Sequence, residues 1–154
     1  TLINSRSAPA PASLCFPLSI RSVGNPDQTV VLCTGDGCFR MNCHELCTIE
    51  HYKIPVIIVV FDNQTLGMVR QWQHLIYGER YSQTDLDRGP DFVKLAEAYG
   101  LHGARAATQA EFEAAFRQAV ESGTSWVIDC AIDKDAMVHP MVPGGAPSTD
   151  FLLD

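Results

Sequence analysis

Two apolar runs decide how this chain reads: Thr29-Val30-Val31-Leu32-Cys33-Thr34, halted by Gly35-Asp36-Gly37, and Pro55-Val56-Ile57-Ile58-Val59-Val60-Phe61, halted by Asp62-Asn63-Gln64. The first is a short β-branched run, as expected of a buried strand. The second is apolar at every position, so both of its faces need cover. That is the signature of a central strand in a parallel sheet with helices on each side. Between the runs, Phe39, Cys43, Leu46 and Cys47 recur at helical spacing, with His44, Glu45 and Glu50 on the other side. This predicts a helix that runs to about His51 and is ended by Lys53 to Pro55.

Working outward, Leu66, Val69, Trp72 and Ile76 predict another helix, in which Met68 and Trp72 read on position alone as core. After the polar stretch from Tyr77 to Gly89, a helix is expected to start at Pro90, since proline suits a first turn. Phe92, Leu95, Ala96 and Tyr99 form its stripe and Gly100 its stop. Thr108 and Glu111 have capping-box spacing ahead of Phe112, Ala115, Phe116, Ala119 and Val120, and Trp126 to Ile132 returns as a strand. The alternation argues for an α/β fold: a mostly parallel sheet flanked by helices, joined by right-handed crossovers. No internal repeat is visible.

A chain of 154 residues, 46% of them apolar, has the length and core of one domain. Its formal charge of −7 repels nucleic acid and anionic membrane, which turns attention to small metabolites. The longest apolar run, Pro55 to Phe61, falls far short of the roughly 20 residues needed to span a bilayer, so a soluble protein is expected. Most of the six cysteines (Cys15, Cys33, Cys38, Cys43, Cys47, Cys130) sit inside apolar runs, where a free thiol packs as a small hydrophobe. A reducing, cytoplasmic setting is expected. A zinc cluster of Cys33, Cys38, Cys43 and Cys47 lacks the paired short spacing such sites use. The histidines His44, His51, His74, His102 and His139 show no ligand spacing and read as surface residues. The first 26 residues hold Arg6 and Arg21 and no acid. That is superficially like a transit peptide, but the organised sequence that follows reads as starting inside a domain.

Asp36 and Asn63 stand 27 positions apart, each just after a predicted strand. A strand-helix-strand unit brings both to the carboxyl edge of the sheet, where open α/β folds bind ligands. A carboxylate and an amide oxygen converging there suit magnesium, a hard ion that takes its other ligands from phosphates and water. Gly35 is expected to allow a tight turn, and Gly37 to let the backbone approach a phosphate. Either tripeptide alone reads as a turn; the pair at this spacing is far more specific.

Gly35-Asp36-Gly37 with Asp62-Asn63 resembles the diphosphate motif of thiamine-diphosphate enzymes. The resemblance implies a metal held by Asp36, Asn63 and the main-chain carbonyl of Thr65; the family usually has Asn-Asn where this chain has Asp62-Asn63. Gly35 through Asn42 with Glu45-Leu46, the run Leu66-Gly67-Met68-Val69-Arg70-Gln71-Trp72-Gln73, the run Pro90 to Ala96, and the tail from Pro140 to Gly145 together resemble the acetolactate synthase large subunit from about Gly24 onward. Implied cofactor-binding residues are Gly35, Asp36, Gly37, Cys38, Met41, Asn63, Gly67 and Met68, with Trp72 on the substrate side.

The implied cofactors are thiamine diphosphate and Mg2+. The implied reaction decarboxylates pyruvate and adds the two-carbon unit to a second 2-ketoacid, giving acetolactate or acetohydroxybutyrate in branched-chain amino-acid biosynthesis. A homo-oligomer and a regulatory small subunit are implied partners. The family's catalytic glutamate and its FAD belong to other domains, so no catalytic residue is assigned here and no turnover is expected of this chain alone. Other thiamine-diphosphate enzymes, of the pyruvate oxidase, sulfoacetaldehyde acetyltransferase or decarboxylase type, share the diphosphate motif; Gln71-Trp72-Gln73 and the tail favour acetolactate synthase. Residues 1–23 do not match the family and are set apart as a disordered or aberrant segment, with 24–154 as the cofactor-binding domain. A truncated or misassembled start, and hence a non-catalytic remnant, is the alternative reading.

Overall fold

The computed structural model describes residues 2–4, 23–24, 27–142 and 145–150. Its strands are β1 (Leu2–Asn4), β2 (Val31–Gly35), β3 (Ile57–Asp62), β4 (His102–Ala106) and β5 (Trp126–Ala131). They form one sheet in the order β1-β2-β3-β5-β4, and every pairing is parallel. The helices are α1 (Asp36–Asn42), α2 (Leu46–His51), α3 (Gly67–Leu75), α4 (Phe92–Ala98) and α5 (Gln109–Ser122). Most of the segment 1–23 lies outside the described residues; within it, residues 2–4 pair with β2.

The run from Pro55 to Phe61 does become the central strand, and Ile57 to Val60 are all buried. Successive side chains on a strand point to opposite faces. Ile58 and Val60 therefore join Phe39, Leu46, Ile49, Phe92 and Ala96 on one side, while Ile57 and Val59 join Ala115, Ala119, Trp126 and Ile128 on the other. Phe39 and Phe92 meet edge to face at 5.3 Å and lock α1 against α4.

Four local readings change. The helix expected to run through to His51 starts at Asp36 and is interrupted by a 3-10 turn, Cys43–Glu45. The Asn42 side chain donates to the Cys38 carbonyl at 3.0 Å, a local bond that competes with the helical ladder. Gly35 is extended, at φ −83°, and the strand passes into α1 without a turn, so no left-handed conformation calls for glycine there. Pro90 precedes α4 rather than opening it: the cap is Asp91, whose carboxylate accepts from the Val93 and Lys94 amides. Finally, β4 has no apolar run, because it is an edge strand with its first residue exposed. Arg105 within it donates twice to the buried Asp129 carboxylate, at 2.9 and 3.0 Å. The capping box at Thr108 and Glu111 forms as expected, and Gly100, at φ +83°, ends α4.

Among the described residues no helix is long and apolar enough to cross a membrane. The five described cysteines are free thiols, and among the described residues no group of three or more His, Cys, Asp or Glu side chains converges to hold a metal.

Candidate cofactor site

Strands β2 and β3 lie side by side with Gly35 in register with Phe61, so Asp36 and Asn63 leave the sheet at the same carboxyl edge. After β3 the chain makes two consecutive side-chain turns: Asp62 Oδ1 accepts from the Gln64 amide at 3.1 Å, and Asn63 Oδ1 from the Thr65 amide at 3.2 Å. Gln64 takes a left-handed φ of 55° between them. This turn is zipped to the loop that precedes α4. Thr65 Oγ1 and the Leu66 amide both donate to the Thr84 carbonyl, and the Leu86 amide donates to the Gln64 carbonyl at 2.7 Å.

Around this edge lies a cavity of roughly 390 Å3. The residues Gly35, Asp36, Gly37, Cys38, Met41, Asn63, Gly67 and Met68 all line it, as does Thr65. Trp72 does not; it stands about half exposed on the outer side of α3. Reading the sequence left out Phe61, Val69, Ile132 and Val138, which supply apolar wall. The last two arrive from the far end of the chain, and no spacing signals that. Two glycines are there for space: a Cβ on Gly37 would crowd Leu66 and Leu86, and one on Gly67 would come within 2.9 Å of the Asn63 amide nitrogen.

Asp36 is 2% exposed, and its Oδ2 has no hydrogen-bond partner. Burial, helped by the neighbouring Asp62 and opposed by the Gly37 amide and Arg40, pushes its carboxyl up to about 6. A buried carboxylate oxygen without a partner is costly unless something satisfies it. A divalent cation shared with the Asn63 side chain and the Thr65 carbonyl would do so, and three oxygen donors match the preference of magnesium. Burial also raises the thiols of Cys33 and Cys38, so both stay protonated near neutrality.

Helix α3 reverses its expected facing. Leu66, Met68, Val69, Trp72 and Ile76 are exposed, and the one residue α3 buries is Gln71. Its amide pairs with the main chain of Val138 in both directions, at 2.9 and 3.0 Å, and so draws the C-terminal segment over the cavity. Arg70 bonds Asp135 beside it.

A parallel sheet with this edge cavity defines the class, and sequence comparison agrees. The model of the thiamine pyrophosphate enzyme C-terminal, TPP-binding domain matches residues 10–130, and the chain belongs to that family. More particularly, it is 45% identical over 138 residues to the "Probable acetolactate synthase large subunit" of Methanococcus aeolicus. Against the acetolactate synthase isozyme 2 large subunit of Escherichia coli K12, 44% of 130 residues are identical. These alignments cover 89% and 84% of this chain but 23% and 24% of the relatives, so the chain spans about a quarter of their length. Among solved structures, a thiamine diphosphate-dependent 4-hydroxybenzoylformate decarboxylase of Rhodococcus jostii RHA1 superposes with a TM-score of 0.68 at 30% identity, over 76% of this chain and 22% of that one.

Proposed function

We propose that this chain is the thiamine-diphosphate half of an acetolactate-forming active centre, holding Mg2+ through Asp36, Asn63 and the Thr65 carbonyl. The observation that carries the reading is the unpartnered Oδ2 of a buried Asp36 inside a cavity that Asn63 and Thr65 also line. Family membership supports the cofactor, and identity to acetolactate synthase large subunits supports the reaction: two pyruvates give 2-acetolactate and CO2, a transferase reaction of branched-chain amino-acid biosynthesis. Thiamine diphosphate, when bound, supplies the electron sink for decarboxylating a 2-ketoacid. The chain's own part is placement. Asp36 and Asn63 would anchor the diphosphate through the metal, Met41, Met68 and Val138 supply apolar surface at the cavity, and Trp72 stands outside towards the substrate.

Among the described residues that line the cavity, Asp36 is the only carboxylate, and as a metal ligand it would not be free to move protons. The proton traffic therefore comes from another protein surface, seated on the exposed rim of Met41, Met68 and Trp72, and the chain alone turns nothing over. A homo-oligomer in the cytoplasm and a regulatory small subunit are part of this proposal, and the small subunit fits the relatives' designation as large subunits.

The test is calorimetric titration of thiamine diphosphate with and without Mg2+. Magnesium-dependent binding is expected in the native chain, with a loss of at least about a hundredfold in Asp36→Ala, on the scale of an uncompensated buried charge. Undiminished metal-dependent binding in that variant would overturn the metal assignment.

A further inference from the structure

One side chain beside the cavity is built in more firmly than its place in the sequence suggests. Arg40, one helical turn after Asp36, places its Nη2 4.0 Å from Asp36 Oδ2 and donates to the Leu86 carbonyl. Its guanidinium lies 5.8 Å from the centre of the Phe92 ring. A Cβ on Gly89 would overlap the same guanidinium, so the loop backbone closes directly over it. Its Nε is buried without a partner. A cation with an unsatisfied donor is kept beside a carboxylate with an unsatisfied acceptor. The segment it holds is the one whose Thr84 and Leu86 are zipped to the Gln64–Leu66 turn of the metal site.

We propose that Arg40 is a positioning residue that acts as the resident counter-cation of Asp36, tying the 84–89 loop to that carboxylate and lowering the affinity of the site for a divalent cation. This rests on the cation site argued above. Two consequences follow from charge and from connectivity separately. A guanidinium one carboxylate away from a divalent ion repels it even at high dielectric, by an amount that corresponds to about tenfold in affinity. Removing the fork also frees the Leu86 carbonyl, so the loop opens more often.

The experiment titrates Mg2+ calorimetrically into the full chain with thiamine diphosphate in excess, and follows amide hydrogen exchange of Leu66 and Leu86 in the metal-free state. Arg40→Gln is expected to bind Mg2+ about tenfold more tightly than the native chain and to exchange both amides faster. Arg40→Lys keeps the charge and loses the fork, so it should stay within about threefold of native Mg2+ affinity while its loop amides still exchange faster. An Arg40→Gln affinity within twofold of native, or Arg40→Lys tightening as much as Arg40→Gln, would overturn the assignment while leaving the functional reading intact. No saturable Mg2+ uptake by the native chain would overturn both.

Discussion

Helices α5 and α3 each carry an apolar stripe at helical spacing in the sequence and use it in opposite ways. In α5, Ala115 and Ala119 are buried, and Phe112 and Phe116 pack beside them on the cluster of Ile57, Val59, Trp126 and Ile128. Its start is closed by the Thr108–Glu111 capping box. Helix α3 turns Met68, Val69 and Trp72 outward, has no side-chain cap, and buries only Gln71. Polar threads hold it in place: Gln71 to Val138, Arg70 to Asp135, and the Arg70 guanidinium 3.9 Å over the Tyr81 ring. An apolar stripe thus reports that a helix has a face to cover, and leaves open which surface covers it. In α5 the domain does so; in α3, Met68 and Val69 line the edge cavity while Trp72 stays exposed outside it.

Paired truncations are the sharpest way to break this comparison. Phe116→Ala in α5 should cost about 3 kcal/mol in urea unfolding, at the low end for a partly buried aromatic. Trp72→Ala in α3 should stay within about 0.5 kcal/mol, as exposed positions do; similar losses would put both helices in one class.

The carboxyl edge should also bear a cost that the two apolar clusters do not. The Asp36 carboxyl is raised from 3.8 to about 6, so the folded state holds its proton more tightly than the unfolded one. Its contribution to stability is present below about pH 4 and is lost as pH rises through about 6. Asp36→Asn in chelator should therefore stabilise the metal-free chain at pH 8 by up to about 3 kcal/mol, a figure already net of the attraction to Arg40, and change little at pH 4. A gain that does not depend on pH would show that ionisation of Asp36 is not the source.

A smaller loss than at Phe116 is expected at the threads. Gln71→Leu leaves the amide and carbonyl of Val138 without their side-chain partner and should lower stability by about 1–2 kcal/mol, with faster exchange of the Val138 amide. An unchanged Val138 would mean that the C-terminal segment stays in place without it.

Much of the layout was legible beforehand because short-range rules govern it. The continuous apolar run of β3, the capping box of α5 and the Gly100 stop each follow from local chemistry. The break at Asn42 and the cap at Asp91 were not, because each turns on a side chain choosing one backbone partner over another. Strand β4 escaped because an edge strand held by an Arg105–Asp129 pair needs no apolar run. Within the site, Asp36 and Asn63 could be paired from their spacing, since strand ends in a parallel unit share an edge. Val138 and Ile132 could not, because a wall brought in from about 70 residues away leaves no period to read.

By itself the sequence determined the parallel α/β class, the edge at which chemistry would gather and the family whose motif stands there, because strand patterning and strand-end spacing are local and survive any packing. Only the tertiary structure decided that α3 faces outward, that Gln71 draws the C-terminal segment across the cavity, and that Arg40 stands guard over Asp36. Those outcomes depend on which distant groups reach the same space, and burial, unpaired charge and close contact exist only once they have met.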